Sequence, residues 1–171
     1  GMELLISDVL NTIIVLLIAL FSHTLAAVVV FIAVFMGLRQ FVGGFHANSH
    51  LSCMFTLVMV MMVFSYGICN VSGHITPIFS ISFIMIALPI ILCIAPVPHP
   101  NKPMSEEKSV KLRKRSCILA VTLSVVTIAL LVFQYQKLSL YVSSGMLLSA
   151  IMALLGHFSV SYTHLTLPTS D

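Results

Sequence analysis

The stretch VLNTIIVLLIALFSHTLAAVVVFIAVFMGL, residues 9–38, contains no charged side chain. A membrane-spanning helix needs roughly 20 mostly apolar residues. The wider apolar stretch, Leu4 to Leu38, is too long for one such helix and about right for two. Ser22-His23-Thr24 is the polar break near its middle, so a tight turn is expected there.

Working outward, the whole composition agrees. Of 171 residues 59% are hydrophobic and 8% charged, and the mean hydropathy is +1.13. Soluble domains carry about 25% charged residues. Eight Lys/Arg and five Asp/Glu cannot coat a water-facing globule of this size, which excludes a soluble domain. The same apolarity excludes an intrinsically disordered chain. The formal charge of +3 is too small and too localised for nucleic-acid binding, since six of the eight Lys/Arg lie between Lys102 and Arg115. The four cysteines, Cys53, Cys69, Cys93 and Cys117, lie in or beside apolar runs at irregular spacing. That is not a disulfide framework, and each reads first as a small buried hydrophobe.

Four further apolar runs follow: Cys53 to about Val71, Ile78 to Ala95 with Pro89 as an expected kink, Cys117 to Phe133, and Tyr141 to Phe158. The expected fold is therefore all-α, a polytopic membrane bundle of about six spans. Between the fourth and fifth runs, Pro96 to Ser116 reads as a loop with four prolines and eight of the thirteen charges. The links 39–52 and 96–116 fall on one face and hold Arg39, Lys102, Lys108, Lys111, Arg113, Lys114 and Arg115. The opposite links, 22–24, 70–77 and 134–140, hold only Lys137. By the positive-inside rule the two rich loops and both termini are expected in the cytoplasm. Ser143-Ser144-Gly145 reads equally as a close helix contact or as a lipid-facing accident. The expected domain is residues 1–158, with N-terminal truncation one reading of the Gly1-Met2 start. The tail 159–171 abruptly loses apolar character and reads either as native chain or as appended sequence.

Chemistry concentrates in residues 39–53, RQFVGGFHANSHLSC. Ionisable groups beside hydrocarbon are costly and count as functional candidates. Each has a bland alternative. Arg39 can snorkel, Gly43-Gly44 can merely end a helix, and His46, His50 and Cys53 can be ordinary interfacial residues. The clustering is what raises the joint odds. Three readings compete: a cysteine nucleophile with a histidine base, a metal or haem site using His46, His50 and Cys53, and a structural re-entrant turn. In an unbroken helix His46 and Cys53 would stand about 10.5 Å apart along the axis, too far for a hydrogen bond, whereas His50 would be close. A bend at Gly43-Gly44 or Asn48-Ser49 would admit His46. Spacing alone leaves the choice open.

The pattern R-x3-G-G-x-H-A-x5-C on Arg39, Gly43, Gly44, His46, Ala47 and Cys53 resembles the accessory gene regulator B (AgrB) family. These are membrane cysteine endopeptidases of Gram-positive bacteria that process quorum-sensing peptide precursors. The stretch Ala95–Lys108, followed by KLRKRS to Ser116, resembles the family's basic cytoplasmic loop. The opening GMELLIS resembles a stretch that in the family follows an N-terminal region, and the similarity extends to Phe158.

The resemblance implies Cys53 as nucleophile and His46 as base and later acid, with His50 a neighbour and no metal or other cofactor. It implies an AgrD-type propeptide as substrate, cleaved and closed to a thiolactone or lactone ring at the bacterial cell membrane. Backbone N–H groups near Gly43-Gly44, or Arg39, are candidate oxyanion donors. Lys108, Lys111, Arg113, Lys114 and Arg115 would attract an acidic substrate tail or anionic lipid, or serve topology alone. A homodimer is left open. The rival functions are a non-catalytic membrane transport or scaffold protein and a His/Cys metal or haem carrier.

Overall fold

The computed structural model describes residues 13–21, 23–43, 59–60, 63–70, 75–97 and 106–166, with side chains described as far as Phe158 except at Ser65 and Cys69. It is all-α. Helix α1 covers residues 13–21, α2 Leu25–Val42, α3 Thr76–Ile94, α4 Glu106–Val132 and α5 Gln136–Thr166. A short π-helical turn at Val63–Gly67 and a 3-10 turn at Ile68–Asn70 lie between α2 and α3. Among the described residues four helices, α2 to α5, are long and apolar enough to cross a membrane. The expected first and third spans fall partly outside the described residues.

The expected turn after α1 is present. Thr24 N–H donates to Ala19 O (2.9 Å) and His23 N–H to Leu20 O (3.3 Å), with His23 at φ 54°. This pair of bonds is a Schellman closure, which satisfies carbonyls that a helix end leaves unpaired. The link between α4 and α5 is built the same way. Tyr135 N–H donates to Leu130 O (2.8 Å), Gln134 N–H to Leu131 O (3.1 Å), and Gln134 sits at φ 65°.

Three sequence boundaries move. Helix α3 starts at Thr76, two residues before the apolar run, with Pro77 in its first turn, where its missing N–H costs nothing. The helix then continues through Pro89 to Ile94. The expected loop 96–116 is helical from Glu106 onward. Its charge kept this stretch out of the apolar run, but its composition favours a helix. Glu106 and Glu107 suit the positive N-terminal end of the dipole, and Lys111 Nζ meets Glu107 Oε1 at 2.6 Å across one turn. Likewise α5 begins at Gln136, before the apolar run, and extends to Thr166, past Phe158.

Helix α5 is the central post. Within the 18-residue apolar stretch of its Gln136–Phe158 span 56% of the residues are buried, against 22–33% for the corresponding stretches of the other three long helices. Without a hydrophobic drive between helices in lipid, close packing and interhelical hydrogen bonds carry association, so small residues belong at the contacts. That is the pattern here. Ser139, Ser143, Ser144, Ser149, Ala150 and Ala153 are buried, while Ile151, Leu155 and Phe158 face outward. A Cβ added at Gly145 would lie 3.0 Å from Phe31 O and 3.1 Å from Val34 Cβ. Ser143-Ser144-Gly145 is thus a helix contact. Ser149 Oγ is shared between Gly145 O (3.0 Å) and Phe35 O of α2 (3.4 Å). Ser80 and Ser139 hydroxyls meet at 3.1 Å between α3 and α5.

Helix α4 presents Ser116, Ala120, Ser124 and Thr127 inward. Its hydroxyls are satisfied within the helix, Ser124 on Ala120 O (2.8 Å) and Thr127 on Leu123 O (2.7 Å), which removes the penalty of burying them. Two cores result. One joins Leu38, Val42, Ala87, Ile91, Ala120, Met146 and Ala150 of all four long helices. The other joins Val15, Ala19, Val28 and Phe31 to Phe64, whose ring lies 4.3 Å from that of Phe31 and 5.9 Å from that of Tyr141.

Candidate functional site

At one end of the bundle α2 and α3 finish side by side. Leu38 and Val42 anchor the last turn of α2 in the core. Between them Arg39 is half-buried, its guanidinium carbon 5.6 Å from the centroid of the Phe35 ring, a cation–π distance. Gly43 closes the helix by donating its N–H to Arg39 O at 3.0 Å. Its φ of 73° and ψ of −151° fall in a region essentially reserved for glycine.

The chain leaving α3 runs alongside. Ala95 N–H closes α3 onto Ile91 O (3.0 Å), and Val97 N–H donates to Val42 O (2.9 Å). Gly43 and Val97 thereby form a parallel bridge. A Cβ at Gly43 would sit 2.6 Å from Val97 O, a distance at which backbone must move. Val97 and Ala95 are buried in the same core as Val42. The links that follow α2 and α3 therefore leave from the same end of the bundle.

Of the residues expected from the sequence, Arg39 and Gly43 stand at this junction. Gly44, His46, His50 and Cys53 lie outside the described residues. The Gly43 N–H is engaged by Arg39 O, so in this arrangement it is not directed at an oxyanion. Lys108, Lys111, Arg113, Lys114 and Arg115 are all exposed on the first turns of α4. Helical spacing divides them. Lys108, Lys111, Lys114 and Arg115 share one arc, by steps of three and four. Arg113 instead heads the inward stripe, three residues before Ser116, whose hydroxyl donates to Arg113 O at 2.9 Å.

Val97 was not a sequence candidate. Its flanking prolines, Pro96 and Pro98, held the signal, since a residue before proline is pushed toward extended backbone and so toward a bridge.

The fold and this junction define a helical membrane protein in which the ends of α2 and α3 are bridged at Gly43 and Val97. The family model described as Accessory gene regulator B, AgrB, matches residues 1–153. The chain belongs to the AgrB family, and with it to agr quorum-sensing peptide processing, in which an AgrD propeptide is the general substrate. No curated protein and no solved structure matches the chain.

Proposed function

We propose that this chain is a membrane cysteine endopeptidase that cleaves an AgrD-type propeptide and cyclises the product. The observation that carries the reading is the family match over residues 1–153, which spans the whole Arg39–Cys53 segment and the basic helix. The Cys53 thiol loses its proton to His46, and the thiolate attacks the scissile carbonyl carbon. Collapse of the tetrahedral adduct breaks the C–N bond, and His46 returns the proton to the departing amine. The N-terminal fragment stays on Cys53 as a thioester. An internal cysteine or serine of that fragment then attacks the thioester carbon, closes a thiolactone or lactone, and releases the Cys53 thiol.

Thioester exchange to a second thiol keeps the acyl group activated. Hydrolysis would discard that activation, so the site must exclude water, which suits the lip of a helix bundle. Six spans, cytoplasmic termini and cytoplasmic links after α2 and α3 belong to this reading. The α4 charges then face anionic headgroups and an acidic substrate tail. Fixed donors are still required for the oxyanion, and Arg39 and the backbone beyond Gly43 remain the candidates.

Co-expression with a cognate AgrD-type propeptide tests the mechanism. Cys53→Ala and His46→Ala are expected to abolish cleavage, and His50→Ala to retain it. Cleavage by Cys53→Ala would reject the thiol mechanism. Loss in His50→Ala with retention in His46→Ala would exchange the base.

A further inference from the structure

We infer that Gly43 and the Val97 backbone form a clamp that positions the processing site. This inference rests on the protease reading above and assigns it two residues that the nucleophile and base do not include. The argument begins with conformation. Gly43 adopts φ 73° and ψ −151°, which any side chain would strain, and it approaches Val97 O so closely that an added Cβ would fall 2.6 Å away. A helix can be ended by glycine without such an approach. Here both ends are tied as well: Gly43 N–H to Arg39 O at 3.0 Å on one side, Val97 N–H to Val42 O at 2.9 Å on the other.

Both partners are buried in the four-helix core through Val42, Ala95 and Val97, so the clamp is a fixed point. Covalent geometry does the rest. His46 follows Gly43 by three residues, a reach of at most about 11 Å. On the protease reading, the direction in which the chain leaves Gly43 therefore limits where the His46 imidazole can be brought to act on Cys53. In this proposal Gly43 and Val97 are positioning residues that act through the segment they launch.

A merely structural glycine would lower protein yield and leave the chemistry of the surviving protein unchanged. A positioning glycine changes the chemistry. The test uses the full chain in lipid vesicles, with two readouts. The first is alkylation of Cys53 by iodoacetamide between pH 6 and 9, followed by mass spectrometry of the peptide that contains it. The second is the kcat and KM of propeptide cleavage. Gly43→Ala and Val97→Pro, which removes the donor N–H, are expected to take on the alkylation profile of His46→Ala. They are expected to lose about 100-fold in kcat, the penalty for ångström-scale misplacement, with KM little changed. The double variant should lose no more than the worse single one, because both break one contact.

Val97→Ala keeps the N–H and is expected to restore the wild-type profile. Gly37→Ala serves as the control, since a Cβ there meets nothing within 4 Å. Wild-type kcat and alkylation in Gly43→Ala and Val97→Pro, with cleavage still abolished by Cys53→Ala, would overturn the clamp and leave the protease reading intact. Cleavage surviving Cys53→Ala would remove both. If Gly43→Ala does not reach the membrane, Val97→Pro decides by the same readouts.

Discussion

Gln134 occupies a left-handed backbone position at φ 65°, as His23 does at φ 54°. A left-handed conformation costs an L-residue roughly 1–2 kcal/mol, and glycine escapes most of it. Both residues close Schellman turns between consecutive helices, and neither turn needs its side chain for the closing bonds, which are backbone to backbone. Gln134→Gly is therefore expected to stabilise the folded protein by about 1 kcal/mol, read as a higher unfolding midpoint in detergent titration. A fall in the midpoint would show that the Gln134 side chain matters more than its backbone. The tight turn at His23 was legible because Ser22-His23-Thr24 is the break in a long apolar stretch. Its handedness was not, because nothing but glycine or asparagine announces a left-handed residue in sequence. Gly43 was legible as a helix end for the same reason, but its partner Val97 lies more than fifty residues away and left only the flanking prolines as a trace.

At the scale of elements, hydropathy located the cores of α2 to α5 and misjudged their ends. The first turns of α4 are charged, and the first turn of α5, Gln136-Lys137-Leu138-Ser139, is mixed. Both are helical because backbone hydrogen bonding continues past the apolar boundary. Which face of each helix turns inward was readable only in part. Periodicity is weak in helices that are apolar all round, and the signal lies in small and hydroxylated residues instead. Ser116, Ala120 and Ser124 of α4 repeat at four-residue spacing, and Ser80 and Ser139 meet across α3 and α5 at 3.1 Å. That last contact is interhelical and buried, so it can be weighed. Interhelical hydrogen bonds in membranes contribute about 0.6 kcal/mol on average by double-mutant cycle. Ser80→Ala and Ser139→Ala are expected to couple by that order in unfolding free energy. Strict additivity of the two would show that the hydroxyls contribute nothing jointly.

On the scale of the molecule, helix directions fix which ends lie together. Along α5, Gly145 packs against Phe31 and Val34, and Ser149, one turn on, reaches Phe35. Advancing along α5 advances along α2, so the two helices run parallel. The Gly43–Val97 bridge joins the last residues of α2 and α3, so α3 shares that direction. Helix α4 enters α5 through the three-residue link 133–135 and runs opposite. The ends of α2 and α3 and the start of α4 therefore gather at one end of the bundle. The turns at 23–24 and 133–135 gather at the other. Among the described residues Arg39 and the five basic residues on the first turns of α4 lie at the first end and Lys137 lies near the second, and the proposed cytoplasmic placement of the first end follows from the positive-inside rule. A single reporter cysteine then has a definite expected behaviour in a background with the native cysteines replaced. Placed at Lys108, it should react with an impermeant maleimide only after the cells are opened. Placed at Gln134, it should react in intact cells. The reverse pattern would put the Arg39–Cys53 segment outside the cell, away from any newly made propeptide, and the processing role would fall with the topology.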